Sequence, residues 1–350
     1  MKSAFLIAPA LIFSAVHASD ASASHMYAST ISSHNIMQIQ HSALSNAFNA
    51  FESNRTTPAP AKKQAKPSPD RYGTMAMYGE YGDDGSVFQG RNGGESPTLR
   101  GMWANWQHTS DDVHFNDYAV ADTDTDIITL GLAGGQKRTS HGTTEWGLFG
   151  GYFNGDQTTS DTTIDQQGGF AGIYSGYAQN NFRVAAGISG GVMDNSVEFA
   201  SGEDSFVNMW VGAGIRSTYD IPLDSTFTLR PGLQIEYTWI NSPSYTSEAG
   251  IDIEPDNFSA FNIAPSFRAI KHIANGWYGS ANVKYVATIT QEDAVFIDSV
   301  AFPALEIDNY TEYGITLEKS IAGFDFAATL AHRDGGRSGW LGQFNIKYAF

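Results

Sequence analysis

The sequence predicts an all-β protein, a 12-stranded antiparallel transmembrane β-barrel preceded by a short helix and a flexible linker. Three observations carry that reading. From residue 97 onward, segments with two-residue alternation follow one another between turn signals. The links between them alternate long and short, with acidic charge gathered in the long ones. The last segment, GWLGQFNIKYAF, puts Trp340, Gly342, Phe344, Ile346, Tyr348 and Phe350 on one face and Leu341, Gln343, Asn345, Lys347 and Ala349 on the other. Greasy outside and polar within is the pattern of a membrane barrel strand.

Taken in order, the chain opens with Met1-Lys2-Ser3, an apolar run from Ala4 to Val16, and Val16-His17-Ala18. A basic start, an apolar centre and a small-x-small site mark residues 1–18 as a secretory signal, with cleavage after Ala18 or Ala23. No stretch approaches the roughly 18 apolar residues of a helical span. The chain has no cysteine, so an exported protein of this kind draws its stability from a large core or a closed sheet. Its 36 glycines and 13% aromatic content fit turn-rich β structure. Mean hydropathy, -0.26, is uninformative, because a barrel hides its membrane band in alternation. The net charge of -17 lies entirely in residues 97–350, with 13 Lys+Arg against 30 Asp+Glu, while residues 1–96 carry seven of each. With no basic face to meet phosphates, nucleic-acid binding is disfavoured.

Residues 19–55 form a short N-terminal segment whose helix is predicted at about 31–53. Ile36, Ile39, Ala43, Ala47 and Phe51 recur at helical spacing, Leu44 and Phe48 widen the stripe, and Ser29, Thr30 or Ser32 can cap the start. Residues 56–96 follow as a linker. Thr56–Asp70 is rich in Pro, Ala and Lys, and Tyr72–Gly94 is rich in Gly and Tyr, either a small hairpin or a flexible insert.

The barrel is predicted over 97–350, with strand cores at 98–108, 127–134, 144–153, 168–178, 182–193, 206–219, 226–239, 258–270, 277–287, 311–319, 324–331 and 339–350. In the seventh, Phe227, Leu229, Pro231, Leu233, Ile235, Tyr237 and Trp239 oppose Arg230, Gln234 and Glu236. A soluble core would not bury such a polar row, whereas a polar lumen accepts it without a desolvation cost. The long links are 109–126, 154–167, 194–205, 240–257 and 288–310, and together they hold 22 Asp+Glu and no Lys or Arg. Lys137, Arg138, Lys271 and Lys319 sit in or beside the short turns. Long acidic loops at one end and tight turns at the other are what an antiparallel membrane barrel requires, and an even strand count returns both of its ends to the short-turn side.

These residues resemble the autotransporter β-domain. The resemblance rests on Arg333-Asp334-Gly335-Gly336-Arg337-Ser338-Gly339-Trp340 before the terminal strand, on Leu229-Arg230-Pro231-Gly232-Leu233-Gln234-Ile235-Glu236-Tyr237, and on Arg100-Gly101-Met102-Trp103. It implies a monomeric barrel in a Gram-negative outer membrane, surrounded by lipid and lipopolysaccharide. Such a barrel is inserted by the barrel-assembly machinery, which would read Phe344, Ile346, Tyr348 and Phe350 as its signal. It also implies export or anchoring of an N-terminal passenger whose connecting helix lies in the lumen. Here the passenger region is very short, and over forty residues separate the helix from the first strand, where the family has a short connection. The Asn-Asn pair that some members use for self-cleavage is absent before Pro97.

Chemical sites were weighed against this. His108, Asp111, Asp112 and His114 make a weak metal candidate in the first long link, outweighed by solvated loop residues. Asp122-Thr123-Asp124-Thr125-Asp126 lacks the glycine and the terminal Glu of a calcium loop. His332, Asp334 and Ser338 have no nucleophile elbow beside them. No catalytic group and no cofactor is therefore expected. The inward-facing set, by strand parity, is Arg216, Arg230, Glu236, Arg268, Lys284, Glu318, Asp325 and Lys347. Mixed signs point to bracing ion pairs or contacts to a plug. The function expected is an outer-membrane autotransporter-type barrel for its own short N-terminal segment. The alternatives are a porin-like channel or a surface interaction protein with acidic loops.

Overall fold

The computed structural model describes residues 20–52 and 101–349, apart from 116–118, 140–141, 161, 200–201, 248–249, 251, 292–294, 298–299 and 303–305. The signal, the linker and Phe350 lie outside the described residues. One helix, α1 (Asp20–Glu52), precedes twelve long strands. These are β1 (Gly101–Phe115), β2 (Ala119–Thr139), β3 (Gly142–Thr158), β4 (Thr162–Gln179), β5 (Phe182–Phe199) and β6 (Gly202–Tyr219). The second half comprises β7 (Phe227–Asn241), β8 (Phe258–Ala274), β9 (Trp277–Gln291), β10 (Tyr310–Ile321), β11 (Phe324–Gly335) and β12 (Arg337–Ala349).

Each strand pairs antiparallel with its sequence neighbours, and β1 closes the ring on β12 from Gly101↔Ala349 to Val113↔Arg337. Closure removes both sheet edges. Outward positions carry Leu130, Ile173, Ile188, Ile215, Ile315 and Phe344, all exposed, with Trp106, Tyr152, Trp277 and Trp340 among them. So large an apolar surface is tolerable only under lipid. Among the described residues no helix is long and apolar enough to cross a membrane.

Turn geometry at one end is tight. Asn275-Gly276 and Ala322-Gly323 take positive φ at both positions (49° and 75°, 49° and 86°), as a two-residue hairpin turn of matching twist requires.

At the opposite end the structure corrects the loop assignment. Links 109–126, 154–167 and 194–205 are mostly strand, continuing β1–β6 beyond the predicted cores. In these extensions Thr109, Thr123, Thr125, Gln157, Gln166 and Asn195 face inward while Asp122, Asp124, Asp156 and Asp165 face out. Alternation of polar with polar leaves no hydrophobic period to detect, although the backbone pairing is complete. The other two long links contribute a small four-stranded sheet, in the order 300–302, 295–297, 252–255, 245–246, which touches the helix.

The helix threads the barrel and starts at Asp20 rather than near Ile31. Residues 20–30 have no apolar stripe, so the sequence carries no helical period there. At 33 residues it is about 50 Å long.

Candidate functional site

The lumen and its helix are the site. The helix seats its apolar stripe on a smooth strip of wall formed by β4, β5 and β6. A Cβ added at Gly176 would meet the Phe51 ring at 2.4 Å, and one at Gly212 would meet the Gln40 amide at 2.3 Å. Leu44 lies against Gly187 and Gly214. Only absent side chains allow the helix so close. Around the strip, Trp103, Phe149, Phe170, Tyr174 and Trp210 form a chain of ring contacts with centroids 6.4 to 6.5 Å apart.

The rest of the helix surface is polar and still buried: Ser32, His34, Asn35, Gln40, His41, Ser42 and Asn46 are all within 4% of full enclosure. Partners for Asn35, Gln40, Ser42 and Asn46 come from β1, β4, β5 and β12. Asn35 donates to Gln166 (2.5 Å), Ser189 donates to Gln40 (2.8 Å), and Gln107 donates to Ser42 (2.8 Å). Asn46 donates to Asn105 (2.7 Å) and accepts from Gln343 (2.5 Å). Buried polar groups without such partners would each cost about 1–3 kcal/mol, so the network specifies one helix position.

Charges complete it. His41 Nδ1 and Glu236 Oε2 are 2.6 Å apart, and Lys284 Nζ lies 3.2 Å from His41 Nε2. Lysine has only protons to give, so Nε2 is the acceptor and Nδ1 carries the proton donated to Glu236. Lys284 also binds Glu312 at 2.9 Å. Arg333 joins Glu312 (3.1 Å) to Asp111 (2.5 Å). At the short-turn end, Arg216 donates to Gln234 (2.6 Å) and Asn49 (2.7 Å) and lies 3.8 Å from Glu52. Arg230 pairs with Asp220 (2.6 Å) and Glu52 (3.7 Å), and Arg183 reaches the same Asp220 at 2.7 Å. Lys347 donates to the Ala50 carbonyl (2.7 Å), a cation at the helix C-terminus where the dipole favours it.

Of the eight residues predicted to face inward, Arg216, Arg230, Glu236 and Lys347 touch the helix or its immediate partners, and Lys284 reaches His41. Arg268 and Glu318 pair with each other away from it, and Asp325 accepts from Ser320 (2.5 Å). Sequence reasoning missed His41, Glu312, Arg333 and Arg337. Glu312 shares strand parity with Glu318, so the signal was present. Arg333 and Arg337 fall between the predicted strand cores 324–331 and 339–350, whereas both lie on strands with side chains buried inside, and Arg337 donates to the His34 carbonyl (3.1 Å).

The metal candidate is not assembled. Asp111 faces inward to Arg333, whereas His108, Asp112 and His114 occupy the other parity, and His108 pairs with Asp126 at 3.2 Å. Among the described residues no group of three His, Asp or Glu side chains is placed to hold a metal ion. His332 packs on the outer face between Tyr313 and Trp340, with ring centroids 5.3 and 4.7 Å away.

Comparison with known proteins agrees with this geometry. The autotransporter β-domain family model matches residues 101–335. The β-domain of the Bordetella autotransporter BrkA superimposes with a TM-score of 0.60 at 14% identity, covering 72% of this chain and 99% of that one. The transport unit of AIDA-I from Escherichia coli gives 0.63 at 16% identity, covering 75% and 94%. The translocator domain of NalP from Neisseria meningitidis gives 0.58 at 12% identity, covering 73% and 90%. No curated protein sequence matches. A closed barrel of twelve strands, with the family model matching two thirds of the chain, places this chain in the autotransporter β-domain family of outer-membrane barrels.

Proposed function

We propose that the barrel carries its own N-terminal segment to the outer surface and then keeps α1 as a lumen plug, without catalysis. The supporting observation is the polarity of the helix. His34 packs against Phe115 and Phe258 at the long-link end, with centroids 5.2 and 5.0 Å away, while Glu52 meets Arg216 and Arg230 at the short-turn end. The N-terminal end thus points outward, as left behind by a segment exported ahead of it. On this reading the short-turn end is periplasmic, lipid and lipopolysaccharide cover the outward belt of a monomer, and the barrel-assembly machinery reads Phe344, Ile346, Tyr348 and Phe350.

The test is an epitope tag inserted after Ala23. Digestion of the tag by protease added to intact cells supports export, and protection in every arm sinks it. The porin-like alternative predicts large, stable conductance from the full-length protein in planar bilayers. A helix hydrogen-bonded to most of the wall argues against it.

A further inference from the structure

The helix is seated off-centre, and the described residues do not fill the space on its far side. Between the helix residues His41, Ser45 and Asn49 and the wall of β8–β12 lies a cavity of about 250 Å³. On its β8–β11 side the charged lining side chains include Arg268 (26% exposed), Glu318 (18%), Lys284 (19%), Glu312 (9%) and Arg333 (1%), and the fully enclosed Asp111 lies behind Arg333. Arg268 stands near the short turns, in register with Asn282 and Arg230, and Lys284 lies two residues beyond Asn282 toward the long-link end. Lys284 is in register with Glu312, Glu312 with Arg333, Arg333 with Gly339, and Gly339 with Asp111. Beyond Asp111 comes a roof of Phe115, Phe258, Ile253 and Ile307, all buried.

We infer that this cavity is an aqueous vestibule entered from the short-turn side alone, and that the Glu312–Arg333–Asp111 collar is the gate that stops it short of the outer end. The charges along it are paired within the wall, so it suits water and small ions of either sign rather than one ligand. The collar is needed because the helix packs closely on β4–β6 and leaves a void against β8–β12, bridged by long side chains such as Lys284, Gln343 and Lys347. There a polar void must be closed by polar groups, and a guanidinium bridging two carboxylates closes it without leaving an unpaired charge. Retaining the helix and sealing the membrane are therefore separate tasks, done by separate residues.

Because the chain has no cysteine, single cysteines report access directly. Asn282→Cys lines the vestibule, Ser225→Cys marks the short-turn end and Asp256→Cys the long-link end. A small charged methanethiosulfonate is applied to intact cells and to cells with a breached outer membrane. The expected result is that Asn282→Cys follows Ser225→Cys, labelling only after the breach, while Asp256→Cys labels on intact cells. Adding Arg333→Met, or Glu312→Gln as a milder second variant, should raise external labelling of Asn282→Cys at least tenfold, with the heat-modifiable barrel retained. Labelling of Asn282→Cys from outside without a collar substitution would overturn the one-sided entry. So would no labelling after the breach, which would mean a sealed void. Unchanged external protection in both collar variants would remove the gate.

Discussion

Inserting bulk at Gly176 should unseat the helix, and the size of the effect follows from the geometry. A Cβ there would lie 2.4 to 2.5 Å from three carbons of the Phe51 ring, far inside van der Waals contact. Gly176 sits within β4, paired with Glu145 and Ala185, so the backbone cannot retreat. The ring and the last turn of the helix must move instead. Overpacking of this kind costs about 1–3 kcal/mol. Phe51→Ala alone removes a buried ring and costs about 3–5 kcal/mol. In the double variant, alanine vacates the space that valine needs, so Gly176→Val should add little to Phe51→Ala. The coupling is then about 1–3 kcal/mol, well above the roughly 0.5 kcal/mol scatter of independent sites. The assay is the urea dependence of the heat-modifiable barrel in detergent for the wild type, both single variants and the double variant. Costs that add within that scatter would show that Phe51 does not rest on Gly176 and would refute the seating of the helix on this wall.

Three further outcomes are expected. Arg333→Met leaves Asp111 only Arg337, at 3.6 Å, as a cationic partner, while Glu312 keeps Lys284, and should destabilise the barrel by about 3 kcal/mol in the same assay, whereas a peripheral pair would cost under about 1 kcal/mol. Replacing Tyr348 and Phe350 with Ser should lower outer-membrane levels several-fold by quantitative blotting. Tyr348 stacks on Phe324 at 4.5 Å, so Phe324→Ser separates lost packing from a lost assembly signal: equal loss in both variants refutes the signal. In the turn before β7, the Thr226 N–H and hydroxyl and the Phe227 N–H bind the exposed Asp224 carboxylate and hold its pKa below the usual value. A depressed folded pKa means that its contribution is present above about pH 4 and is lost as pH falls through the folded value. Asp224→Asn should flatten that acid limb of barrel stability, and an unaltered limb would remove the role.

The sequence by itself determined the barrel. Strand parity in β7, β9 and β12 is a local property, and each strand meets lipid on one side and a polar lumen on the other, so facing could be assigned one strand at a time. Arg230, Glu236, Lys284 and Lys347 were placed inward on that ground alone. Segregation of acids into the long links gave the two ends. Three things were decided only by the tertiary structure. The extensions of β1–β6 alternate Thr, Gln and Asn with Asp, a pattern without hydrophobic contrast, and they become strand only because a neighbour supplies backbone partners. The helix position could not be read from its stripe, since the receiving wall is four glycines from three strands that no local pattern links to residues 40–51. The Asp111–Arg333–Glu312 collar joins β1 to β11 and β10 across the closing seam, and such partners meet only when the ring shuts. Period-two alternation is written in each strand, but which charge meets which across the lumen depends on closure, register and the off-centre seat of the helix together.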